Sequence, residues 1–137
     1  MSSYGFSTAV PYDYDEAVQR TTAALASEGF GVLTEIDVKA TLKKKLDVDF
    51  TRYVILGACN PPMAYRALQA ETEIGLLLPC NIIVYETTEG GTTVSLINPM
   101  EAMSMVDNPN LHAVASEVTA KLQRVAQALT QGEPAIA

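Results

Sequence analysis

The chain has 137 residues, 48% of them hydrophobic and 18% charged, with 8 glycines, 7 prolines and no tryptophan. This composition excludes the disordered, collagenous and disulfide-scaffold classes, and a chain of this length buries roughly two-thirds of its unfolded surface in a single core. Sixteen acidic residues against nine basic ones give a net charge of -7, which repels phosphate backbones and anionic lipid and argues against nucleic acid or a membrane as partner.

No apolar run reaches the roughly 18 residues needed to span a bilayer. The stretch from Met1 to Phe6 lacks the basic cluster and apolar core of a signal peptide. The expectation is a cytoplasmic protein whose two cysteines, Cys59 and Cys80, are reduced thiols rather than a structural disulfide.

In chain order, Phe6, Thr8 and Val10 alternate as in a strand from Gly5 to Val10 that Pro11 closes. Asp13 is placed to cap a helix, Glu16 to reach back to it, and Val18, Thr21, Thr22 and Leu25 recur at helical spacing before Gly29 ends the segment. Phe30, Val32, Thr34 and Ile36 predict one covered face of a second strand. Asp37 then caps a short helix with Val38, Thr41, Leu42 and Leu46 on one stripe, and Lys39, Lys43, Lys44 and Lys45 on its solvated face.

The nearly continuous apolar run from Thr51 to Cys59 predicts an interior strand buried on both faces. Asn60 before Pro61 and Pro62 is a helix start, since asparagine accepts from free amides and proline has none to leave unpaired. That helix extends to about Ala70. Pro79 divides the next apolar stretch into a connection packed on the core and a strand from about Cys80 to Thr87. Glu89-Gly90-Gly91 is a hairpin turn, and the returning strand runs from Thr92 to Ile97. After a connection bearing Met100, Met103 and Met105, Asn108-Pro109 repeats the cap-then-proline start. Leu111, Ala115, Val118, Leu122, Val125 and Leu129 form the stripe of a long closing helix. One domain, 1–130, and a frayed tail, 131–137, are expected.

These elements predict an α+β fold: a two-layer sandwich with a single, mainly antiparallel sheet and helices on one face. The half-polar strands leave the other face wet or covered by a second subunit.

Both cysteines stand at strand ends and each precedes an asparagine, Asn60 or Asn81. If the helix from Pro61 descends the sheet and Ile74 to Leu78 climbs back, about five extended residues at ~3.4 Å each recover most of the helix rise, and the thiols meet at one edge. If the connection is a parallel crossover, they lie at opposite edges. A helix start beside Cys59 would favour its thiolate, the form that attacks electrophiles or binds soft metals. Met63, Met100, Met103, Met105 and His112 complete a soft-ligand set that would suit Cu(I), although methionines in a connection commonly fill gaps in a core. Tyr53 and Tyr65 either line a pocket or pack at the boundary. One histidine and no paired carboxylates leave few candidates for acid-base catalysis.

Gly57-Ala58-Cys59-Asn60-Pro61-Pro62, Ala64-Tyr65-Arg66-Ala67-Leu68 and Leu76-Leu77-Leu78-Pro79-Cys80-Asn81 together resemble the DUF302 family of small bacterial and archaeal proteins. Gly31 to Lys39 and the helix after Pro109 fit the same pattern, so the resemblance covers all but the tail. It implies an α+β fold with one sheet, and homodimers; it carries over no catalytic residue and no cofactor. The functional expectation is a homodimeric domain binding a small ligand or a soft metal near Cys59, Asn60, Cys80, Asn81 and Tyr65. Two alternatives stay open: a thiol-dependent enzyme or sulfur-transfer protein using Cys80 or Cys59, and a structural interaction module.

Overall fold

The computed structural model describes residues 4–130 of the chain. The expected tail at 131–137 lies outside the described residues. Five strands, β1 (Gly5–Val10), β2 (Gly31–Asp37), β3 (Tyr53–Cys59), β4 (Cys80–Glu86) and β5 (Thr92–Ile97), form one sheet in the order β1-β5-β4-β3-β2, every neighbour antiparallel. The α+β architecture is as expected. Helices α1 (Tyr14–Ser27), α3 (Pro61–Ala70) and α5 (Pro109–Thr130) join α2 (Val38–Leu46) and a single turn, α4 (Pro99–Ala102).

The caps act where the sequence places them, with one difference. Asp13 accepts from the Glu16 amide at 2.8 Å, but the Glu16 carboxylate pairs with Arg20 at 2.8 Å instead of reaching back. Gly29 takes φ +87, the left-handed conformation that closes α1 without a Cβ clash. Asn108 accepts from the amides of Asn110 and Leu111 at the head of α5. Residues Thr72–Leu77 form a 3-10 helix that buries Ile74, the packed connection expected before Pro79.

One sheet face carries the core. Val54, Leu56 and Ala58 of β3 stand level with Val84, Ile82 and Cys80 of β4, and β5 adds Val94 and Leu96. Leu25 of α1 and Leu111, Leu122 and Val125 of α5 belong to the same buried cluster. The alternating residues of β3 are only half-buried, so the expectation that β3 is buried on both faces is corrected: Tyr53 and Ile55 stand level with Tyr85 and Ile83 on a second, partly exposed apolar face.

β2 departs from its expected pattern. The ladder shifts between Val32 and Thr34, a bulge that leaves Leu33 without a partner and reverses the alternation beyond it. Val32 pairs with Ala58 on the core side, whereas Thr34 and Ile36 pair with Gly57 and Ile55 on the open side, so the four residues share no single face. Ile36 is 47% exposed at this edge. Helix α2 packs against β2 and β3 but buries none of its residues, so the predicted stripe is not a core stripe.

Gly57 is required by close approach. A methyl group there would overlap the Thr34 hydroxyl and stand 2.8 Å from Pro79 Cγ, so only glycine lets both side chains close over β3.

Candidate functional site

α3 leaves the end of β3 and the chain returns through the 3-10 helix to β4, beside β3 and antiparallel to it. Cys80 pairs with Ala58, the residue before Cys59. The descending-helix alternative is therefore realised: both cysteines stand at the same end of two neighbouring strands.

Between that sheet end and the helices lies a partly open cavity of about 350 Å³. Ala58, Cys59, Asn60 and Cys80 line it from the strands, Met63, Ala64, Ala67 and Leu68 from α3, and Val114, Ala115 and Val118 from α5. Phe30 just before β2, Leu33 and Thr34 of the bulged β2, and Leu78, Pro79, Pro99 and Met103 close the remainder. The wall is almost wholly apolar and no charged side chain of the described residues lines it. Its volume lies within the range of small-molecule sites, roughly 300–1,000 Å³.

Asn60 fixes the entry to α3. Its Oδ1 accepts from the Met63 amide at 3.5 Å, and its Nδ2 donates at 3.2 Å to the Glu28 carbonyl at the end of α1. Asn60 thus ties two helix ends together beside the cavity. On the outer side of α3, Arg66 forms a two-pronged ion pair with Glu117 of α5, at 3.0 and 2.7 Å, which holds the two cavity-lining helices in place.

Both cysteines are free thiols. Burial, with a smaller contribution from neighbouring Cys59, pushes the Cys80 thiol up to about 11. Cys80 is therefore protonated at neutral pH, contrary to what a nucleophile requires.

Two residues expected at the site lie elsewhere. Asn81 pairs with Gly57 on the open sheet face and is exposed, because it follows Cys80 in a strand and successive side chains point to opposite faces. Tyr65 is 65% exposed on α3 and does not line the cavity, whereas Ala64 and Leu68, one turn apart, do. Of the methionines, Met63 and Met103 line the cavity, while Met100 and Met105 are exposed. His112 Nε2 hydrogen-bonds the Val106 carbonyl at 2.6 Å. Among the described residues no group of three or more His, Cys, Asp or Glu side chains is arranged to hold a metal ion. Tyr53 stacks on Tyr85, centroids 5.4 Å apart, and on the open face lines no cavity with the thiols.

The cavity wall contributed by α5 was absent from the expected site. Ala115 and Val118 were legible only as part of a core stripe, Val114 was not singled out, and nothing in their spacing marks a place where that core stays open.

The family model for "Domain of unknown function DUF302" matches residues 6–129. The chain belongs to the DUF302 family. A solved DUF302 structure, the crystal structure of an uncharacterized conserved protein from Bacillus stearothermophilus, is 31% identical. It aligns over 96% of this chain and 100% of its own, with a TM-score of 0.84. No curated protein matches the chain. Among the described residues of this DUF302 protein, no helix is long and apolar enough to cross a membrane.

Proposed function

We propose that this DUF302 domain binds a small, largely uncharged apolar molecule in the cavity between the β3 and β4 ends and helices α3 and α5. The observation that carries this reading is the wall itself: about 350 Å³ bounded by aliphatic, methionine and thiol groups, with no charged side chain among the described residues. An ionised ligand there would lose its hydration without gaining a counter-charge. Polar residues on the lining are few: Cys59, Cys80, Thr34 and Asn60, whose amide is already engaged with Glu28 and Met63. The raised Cys80 thiol supports a lining role over a nucleophilic one.

The same reading has the domain working as a homodimer joined through the open sheet face. Ile36, Ile55 and Ile83 with the stacked Tyr53 and Tyr85 support it, because a surface patch of this kind gains by being covered. It also puts the protein in the cytoplasm, in keeping with two unpaired thiols.

The test is titration with the neutral dye N-phenyl-1-naphthylamine. Saturable binding at one dye per chain, lost in Ala64→Phe while the circular dichroism spectrum is kept, is the expected result. Equal binding to that variant, or none to the native chain, overturns the reading.

A further inference from the structure

We propose that the ligand enters this cavity at the outer edge of the sheet, through a portal whose two sides are Leu33 of the β2 bulge and Leu68 of α3. The inference rests on the cavity described above and concerns its entrance, not the identity of its occupant.

The burial of the wall marks where the cavity opens. Phe30, Ala58 and Met103, with Val114, Ala115 and Val118 of α5, form a buried floor. Of the described residues that line the cavity, only Leu33, Thr34 and Leu68 are exposed, and they stand on β2 and α3. Leu33 is 68% and Leu68 42% exposed. A single exposed leucine needs no explanation, but two on separate elements at the border of one cavity place an apolar sill at its mouth.

The bulge supplies one side of that sill. The register shift between Val32 and Thr34 withdraws Leu33 from the ladder with β3 and leaves it beside the cavity. β2 is the outermost strand and pairs with β3 alone, so displacing it disturbs one ladder. Its bulged edge is therefore the part of the wall that yields most easily to a passing ligand.

A second cleft, of about 250 Å³, adjoins the cavity between the 3-10 helix and α4, with Leu78, Pro79, Cys80, Pro99 and Met103 common to both. This side is a partition and not an entrance: none of the five shared residues is exposed, and Pro99 and Met103 are buried.

The experiment places a thiol on the cavity floor and times its labelling. Ala115, 1% exposed, lines the cavity and not the second cleft, so Ala115→Cys in the Cys59→Ser, Cys80→Ser chain reports passage through the entrance. The probe is methyl methanethiosulfonate, small and uncharged, and mass spectrometry reads the rate. Leu33→Ala should speed labelling and Leu33→Trp should slow it, each roughly threefold to tenfold, the span that part of one leucine's burial supplies. Leu68→Ala should act in the same direction as Leu33→Ala. Ala102→Trp, which crowds the second cleft, should change nothing. Circular dichroism establishes that each variant is folded, and a rate unaffected by low urea shows that the folded chain reacts. One rate across the Leu33 and Leu68 variants, slowing by Ala102→Trp, or labelling only through unfolding overturns the portal. Dye binding together with any of these removes the portal and leaves the cavity. Leu33-dependent labelling without dye binding keeps the entrance and removes the apolar occupant.

Discussion

Cys80 stands opposite Ala58, the residue before Cys59, so the two cysteines border one cavity from the same end of neighbouring antiparallel strands. Their shared position follows from the connection between them. A ten-residue helix followed by a short 3-10 turn returns the chain to the strand end it left.

Cys80 makes stability depend on alkaline pH. Its thiol titrates near 9.0 in the unfolded chain and at about 11 in the folded one, so the unfolded state loses its proton first. The contribution is whole below pH 9 and disappears as pH rises through 11. Two pH units correspond to at most about 2–3 kcal/mol. Urea midpoints at pH 8 and pH 10.5 should fall more for the native chain than for Cys80→Ala, which lacks the titrating group. Parallel losses would show the thiol to be solvated.

Gly57→Ala should destabilise the domain by about 1–3 kcal/mol, the usual cost of overpacking. The added methyl meets Thr34 and Pro79, both cavity-lining, so dye affinity should fall as well. Thermal melting with dye titration checks both, and a variant as stable as the native chain contradicts the close approach.

Asn60 has two jobs that substitution separates. Asn60→Ala loses the cap and the bond to Glu28, at a cost of about 1–2 kcal/mol. Asn60→Asp keeps an acceptor for the Met63 amide but cannot donate to the Glu28 carbonyl. Chemical denaturation should therefore show only partial rescue by aspartate. Full recovery would mean that the cap alone matters.

Much of the fold was legible because its punctuation is local. Asn60-Pro61 and Asn108-Pro109 start helices, Gly29 and Glu89-Gly90-Gly91 end or turn segments, and the helical stripe of α5 extends from Leu111 to Leu129. The β2 bulge was not legible, because the extra residue, Leu33, is set by pairing with β3 and not by its own sequence. Nor was the exposure of α2, whose periodic apolar residues find no layer to cover them. Cys59, Cys80 and Asn60, singled out for their strand-end positions, line the cavity. Asn81 was misplaced although strand alternation separates it from Cys80, and Tyr65 although helix periodicity sets it apart from Ala64 and Leu68.

The open sheet face predicts assembly. Ile83→Lys places a charge among Ile55, Tyr85 and Ser95 and should convert a dimer to a monomer in sedimentation velocity while leaving the dichroism spectrum unchanged. A native chain that sediments as a monomer, or a lysine variant that remains dimeric, contradicts assembly through this face.

The ligand cavity is tested most directly by locating N-phenyl-1-naphthylamine on the protein by methyl NMR. The largest shifts should fall on Leu78, Val114 and Val118 and on the Met63 and Met103 methyls, which line the cavity. Shifts centred on Ile55 and Ile83 of the open face, or no localised shifts, would contradict the account.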